Sequence, residues 1–210
     1  MKSLMADETK PSEGQPPQPP TPPAKPAAKP GAKPAAPKPP AVMVTTPWED
    51  ELTRAVKERF GDGIVESVSY VGQNFWVVTP ETAIPLLDYL KQEADFDYLV
   101  DITAVHYPKR EKAFDLVYVV YSFARNQRVR IKTQIRDGDE PPTAVPVHPT
   151  ANWLEREVYD MFGIRFAGHP DLRRILMPDE WEGYPLRKEY GIVQQDNRWV
   201  RENLEIESAQ

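Results

Sequence analysis

The sequence predicts an α+β domain, preceded by a Pro-rich head and followed by an irregular arm. Three observations carry this. Helix-spaced segments and short β-branched, aromatic runs follow one another in the order α-β-β-α-β-β-β. The five Trp, nine Tyr and seven Phe all lie beyond residue 47. After Gly163 the periodicity stops, yet Trp and Tyr continue. The predicted boundaries are a disordered head over 1–46, an α+β domain over 47–163 and an arm over 164–210.

Residues 1–47 hold 14 of the 24 Pro, and Pro22 to Pro40 cycles Pro, Ala and Lys. Nothing there can form an apolar core that offsets chain entropy, so the segment is expected to be a spacer with polyproline-II bias. Its six Lys and three acids give +3, which leaves −9 for the rest of a chain whose net charge is −6. That balance opposes a surface built for nucleic acid, although an Ala-Lys-Pro tract can hold polyanions by charge alone. Deleting residues 1–40 is expected to leave the domain's stability unchanged.

Thr46-Pro47-Trp48-Glu49 has the pattern of a capping box with Pro at the first helical position. Trp48, Leu52, Val56 and Phe60 then stripe one helical face until Gly61-Asp62-Gly63. Ile64 to Tyr70 reads as a strand, Gly72-Gln73-Asn74 as a turn, and Phe75 to Val78 as a second strand. Thr79-Pro80 opens a helix through about Glu93, with Pro85 placed to bend it or shift its start. Three strands follow, over Phe96 to Tyr107, Phe114 to Phe123 and Arg128 to Ile135. In the last of them Val129, Ile131, Thr133 and Ile135 face one side, and Arg128, Arg130, Lys132 and Gln134 the other. That mixture predicts helices on a mixed, mostly antiparallel sheet.

Asn152-Trp153-Leu154-Glu155 repeats the capping-box pattern and opens a helix that Gly163 ends. Leu154, Val158 and Met161 share its apolar face, while Glu155, Arg156 and Asp160 lie elsewhere. Arg156 and Asp160 are spaced for an i,i+4 pair. Glu155, Glu157 and Asp160 with His169 are candidates for acid/base or metal chemistry, and they lack a Glu-x-x-His or His-x-x-x-His spacing. Asp137-Gly138-Asp139-Glu140 resembles part of a calcium loop but lacks the later Glu and reads as a turn, and the isolated His106 and His148 read as structural. No Gly-x-Gly-x-x-Gly, P-loop or Gly-x-Ser-x-Gly is present. Zero Cys excludes a disulfide scaffold, a thiol nucleophile and an iron–sulfur cluster held by this chain's own thiolates. The longest aliphatic-aromatic run, Leu116 to Tyr121, is far below the roughly 20 residues of a transmembrane helix. No secretory or Arg-rich transit pattern opens the chain, so a soluble intracellular protein is expected. On residues alone the chain reads as an interaction protein. A hydrolase using Glu155 or Glu157 with His169, and a nucleic-acid tether, are the rivals.

The run Glu155-Arg156-Glu157-Val158-Tyr159-Asp160-Met161-Phe162-Gly163-Ile164 is followed by His169-Pro170-Asp171-Leu172-Arg173-Arg174-Ile175-Leu176 and by Gly183-Tyr184-Pro185-Leu186-Arg187-Lys188. Together they closely resemble the signature of the 30 kDa subunit family of respiratory complex I, the proton-pumping NADH:quinone oxidoreductase. The similarity covers roughly residues 48–190. The head departs from the short forms of that family. The resemblance implies a non-catalytic assembly subunit of the hydrophilic arm, with no cofactor of its own in a complex that carries FMN, iron–sulfur clusters and quinone. It implies neighbours that form the quinone pocket and hold the terminal cluster. It also implies a peripheral place on the cytoplasmic side of a bacterial membrane, held there only through the complex. Related membrane-bound hydrogenases and other complex I-like oxidoreductases carry equivalent subunits. The residues expected to meet partners are Glu155, Arg156, Glu157, Asp160, His169 and Asp171, then Arg173, Arg174, Trp181, Tyr184, Arg187 and Lys188. Aromatic residues and Arg anchor interfaces, and charges of both signs set register. A chain ending at Gly163 is therefore expected to keep its sheet and much of its stability but lose its partners.

Overall fold

The computed structural model describes residues 44–191 and 197–204. The predicted head therefore lies outside the described residues up to position 43, as do 192–196 and 205–210 of the predicted arm. The described residues form a six-stranded mixed sheet with helices, the predicted α+β class.

The first strand, β1, is only Thr46–Pro47, and it pairs antiparallel with β2, Ile64–Tyr70. Here the structure departs from the predicted capping box. The N-cap is Asp50, whose carboxylate accepts the Thr53 N–H at 2.7 Å, and helix α1 runs Glu51–Phe60. Trp48 explains the shift. Its ring lies 4.6 Å from Trp76, its N–H donates to Ser67 O at 3.0 Å, and its indole N–H donates to Asp50 at 3.0 Å. Those contacts hold residues 46–48 extended, and a Pro on an edge strand gives up no ladder bond.

Strand β3 is Gln73–Val78, and its hairpin with β2 turns at Val71-Gly72, with φ of 51° and 70°. The turn thus falls one residue before the predicted one, because a two-residue hairpin loop of this type needs positive φ at both positions. Helix α2, Pro80–Glu93, continues through Pro85, which is exposed. Strands β4 (Tyr98–His106), β5 (Phe114–Ser122) and β6 (Gln127–Ile135) form a meander. The sheet order is β1-β2-β3-β6-β5-β4, and β3–β6 is its parallel pair.

Alternation divides the sheet into two faces. Trp76, Leu116, Tyr118 and Ile131 enter one core with Leu52 and Val56 of α1 and with Leu86 and Leu90 of α2. Helix α3, Ala151–Phe162, adds Val158 and Met161 to the same core and packs on β4. Its N-cap is Thr150, which makes no side-chain cap bond, so the predicted start at Asn152 is corrected. Gly163 ends α3 as expected, in the left-handed conformation at φ 76° with its N–H on Tyr159 O at 2.8 Å.

The arm is not an extension away from the domain. Ile164 and Phe166 are buried, Leu172 and Met177 pack on the core, and Ala167 pairs with the chain at Pro142. A short helix, α4, spans Asn197–Leu204. Residues 164–177 complete the core beside α3, which weighs against the expectation that a chain ending at Gly163 keeps much of its stability.

Candidate functional site

The structure gathers the signature residues around one end of α3, where that helix meets the arm. Asp160 is fully buried. Its Oδ2 accepts the N–H groups of Ile175, Leu176 and Met177 at 3.0, 2.7 and 2.8 Å, and its Oδ1 accepts from Arg174 at 2.6 Å. Three successive N–H groups on one oxygen form an anion nest. Burial alone would raise the Asp160 pKa, but the N–H groups and the guanidinium together hold it below the ordinary carboxylate range. Arg174 also donates to Trp181 O at 2.8 Å and Gly183 O at 3.1 Å. One carboxylate and one guanidinium thus fasten residues 174–183 to α3.

Arg156 donates to the carbonyls of Arg173 and Arg174 at 3.1 and 2.9 Å and lies over the Trp153 ring. The predicted Arg156–Asp160 pair is therefore absent, because each side chain is engaged by arm backbone. Arg187 donates to Phe162 O at 2.6 Å and grips Asp137 with both terminal nitrogens, each at 2.8 Å. The Arg187 hydrogen bond is the main cause that lowers the Asp137 pKa. Lys188 presents its backbone N–H to His106 Nδ1 at 3.0 Å, while its side chain is exposed. A Cβ on Gly163 would lie 2.5 Å from Cε2 of Tyr184, so that ring packs where only glycine fits.

Glu155 occupies a separate buried pocket. Thr143 Oγ1 donates to one carboxyl oxygen and the Ala144 N–H to the other, both at 2.6 Å. Burial raises its pKa to about 7 against those two bonds. His169 lies 3.9 Å away, and both side chains are fully buried. The Asp171 N–H donates to His169 Nδ1 at 3.0 Å, so the imidazole proton sits on Nε2, 3.1 Å from Asn152 O. The expectation that Glu155 and Asp160 offer their charges to partners is corrected, since neither has exposed surface. Arg156 is 7% exposed, and the guanidinium of Arg174 is engaged within the chain. Glu157, Asp171, Arg173 and Lys188 are exposed, and Trp181 and Tyr184 are half-buried. The rival pairing of Glu157 with His169 fails on geometry, one side chain being exposed and the other enclosed. Sequence reasoning missed Thr143 and Ala144, because a Pro-broken loop carries no periodic signal, and it read Asp137 as a turn residue without its Arg187 partner. Among the described residues no three His, Cys, Asp or Glu side chains group to hold a metal, and no helix is long and apolar enough to cross a membrane.

The family described as "Respiratory-chain NADH dehydrogenase, 30 Kd subunit" matches residues 76–196, more than half of the chain and all of this clamp. The chain belongs to that family. An NADH-quinone oxidoreductase subunit of Ruegeria pomeroyi is 52% identical over 115 residues, covering 54% of this chain and 58% of the relative. The like-named protein of Dinoroseobacter shibae is 51% identical over 116 residues, covering 54% of each. The chain therefore matches little more than half the length of these two curated relatives. That of Brucella ovis is 45% identical over 145 residues, covering 68% of this chain and 72% of the relative. Among solved structures, a chain of the membrane-bound sulfane sulfur reductase, an archaeal respiratory membrane complex, superposes with a TM-score of 0.61 at 25% identity. That match covers 76% of this chain and 93% of the other. Membership in the 30 Kd subunit family accounts for the signature, and the geometry shows what its charges do inside the chain: they lock an irregular segment onto a helix.

Proposed function

We propose that this chain is a non-catalytic assembly subunit in the hydrophilic arm of an NADH:quinone oxidoreductase that couples electron transfer to proton translocation. The observation that carries this is the clamp. The buried signature charges serve to fix residues 164–191, and that segment, with α3, then presents Trp153, Leu176 and Leu186 to the outside at 61%, 60% and 51% exposure. A rigid platform with exposed apolar side chains suits docking, and aromatic and Arg residues supply typical anchors. The saturated oxygens of Asp160 and the enclosed Glu155–His169 pair suit structure better than proton transfer.

On this reading FMN, iron–sulfur clusters and quinone reside in other subunits, a division that the absence of Cys supports. The neighbours are the subunits that form the quinone pocket and hold the terminal cluster. The chain sits peripherally on the cytoplasmic side of the membrane, through the complex and not through lipid or nucleic acid. The likeness to the sulfane sulfur reductase chain favours one second reading, the equivalent subunit of a related membrane complex with a different electron acceptor. Affinity purification of the tagged full chain from membranes tests both. Recovery of a flavoprotein, cluster-bearing subunits and membrane subunits with NADH:quinone activity supports the first. Recovery of a complex without that activity supports the second, and recovery of the chain alone overturns both.

A further inference from the structure

The second face of the sheet is unaccounted for by the clamp. The buried apolar residues of α1, α2 and α3 all join the core on the other face. On the second face, strand pairing sets residues in rows: Asp101, Val119 and Arg130 in one, Thr103, Val117 and Lys132 in the next. Phe75 of β3 continues the first row beside Arg130. The result is a shallow cavity of about 410 Å³ with a valine floor, bordered along β6 by Arg128, Arg130 and Lys132. At one end Tyr98, Tyr121 and Phe123 cluster, with ring centroids 5.7 and 4.9 Å apart, and Phe123 is 68% exposed.

Acids share this face, since Asp101 and Asp115 line the cavity and Glu66 stands beyond Val77 in the Lys132 row, yet none of them forms an ion pair with the cations of β6. Arg110, Arg136, Arg174 and Arg187 each pair with a carboxylate of the chain. Arg128, Arg130 and Lys132 pair with none among the described residues, and Lys132 instead lies over the Phe75 ring at 4.0 Å. Asp115, the acid that acts on Lys132, is engaged by Arg110 and Gln134. Burial lowers the Lys132 pKa, Asp115 opposes this, and Arg130 adds to it. Alternate residues of one strand stand about 6.5–7 Å apart, so the three cations form a regular strip. That strip lies within residues 48–210, which carry −9 overall.

We propose that this helix-free face is a second docking surface, occupied by an acidic segment of another subunit of the complex. Carboxylates of that segment meet Arg128, Arg130 and Lys132, and its apolar side chains cover Val117, Val119 and the Tyr98–Phe123 cluster. Unpaired cations call for carboxylates, while the apolar floor and exposed aromatics call for a protein surface and not a free anion. The proposal rests on the assembly reading above, and the test separates the two.

The chain has no Cys, so Thr103→Cys and Phe123→Cys each introduce a unique thiol. Maleimide labelling is compared between the isolated full chain and the purified, detergent-solubilised complex, with labelling after denaturation as the total. The expected result is labelling at least about tenfold slower in the complex at both positions, as for a surface excluded from water by a partner. A zero-length carbodiimide cross-link in the wild-type complex is expected to join Lys132 to an Asp or Glu of a different subunit. Arg130→Glu combined with Lys132→Glu is expected to lower recovery in the complex about tenfold, because like charges then face each other. Equal labelling in both states overturns the proposal, as does a Lys132 cross-link confined to Asp115 or to a second copy. Protection seen in membranes and lost in the intact solubilised complex assigns the face to lipid and overturns it equally. Co-purification with open thiols sinks only the docking face. A wild-type chain that recovers no subunits sinks the assembly reading and this proposal together.

Discussion

Replacing Asp160 by Asn is the sharpest probe of the clamp. The change preserves shape but removes the charge, and it turns one acceptor oxygen into an NH2 donor. That donor must then face either the N–H groups of Ile175, Leu176 and Met177 or the guanidinium of Arg174, all of which are themselves donors. Whichever way the amide turns, buried donors lose their acceptor, and Arg174 is left without a counter-charge. Breaking one side of a buried, hydrogen-bonded ion pair costs about 3–5 kcal/mol. For a domain of this size that is a fall in Tm of roughly 10 °C. The depressed Asp160 pKa also fixes a sign. Its stabilisation is complete above the unfolded carboxylate value and is lost as pH falls through the lower folded value, so the wild type shows an acid limb that Asp160→Asn lacks. Urea titration and limited proteolysis of the purified chain check this, with cleavage expected first within residues 164–191. A loss below about 1 kcal/mol, with the arm still resistant to protease, would refute the clamp, because a charge-assisted network of this kind cannot be that weak.

Glu155 and His148 are expected to pull the pH dependence in opposite directions. The raised Glu155 value makes the folded state hold a proton that the unfolded state releases, so stability falls as pH rises from about 4.5 to about 7. Glu155→Gln, which can still accept from Ala144 and donate to Thr143, should abolish that fall in a series of melts from pH 4 to 8. His148 is buried, and burial first and Lys91 second lower its pKa to about 4, so stability rises with pH between about 4 and 6.5. Imidazole NMR shifts that move near pH 6.5 would contradict this. Gly163→Ala should cost at least about 1–3 kcal/mol, combining left-handed strain with the Tyr184 collision, and calorimetry measures it. Arg187→Lys should loosen the arm's end by breaking the two-pronged grip on Asp137, seen as faster amide exchange near Leu186.

Local patterns determined the elements. The period-4 stripe of Leu52 and Val56, the alternation of Val129 to Ile135, and Gly163 as a helix stop are each readable because one residue's neighbours decide its state. The signature likewise pointed to the family from sequence alone. Where two local signals competed, tertiary contacts chose between them. Thr46 and Asp50 can both cap a helix, and the Trp48–Trp76 contact selects Asp50. The parallel β3–β6 pair and the roles of the signature charges were decided only in three dimensions. Asp160 and Glu155 look like exposed helix acids, because their partners, the N–H groups of residues 175–177 and the loop at Thr143–Ala144, lie in segments without periodicity. Backbone donors are the same at every position of a sequence. Which of them converge on a carboxylate, and so whether that carboxylate faces a neighbour or holds its own chain together, depends on the path of the folded backbone.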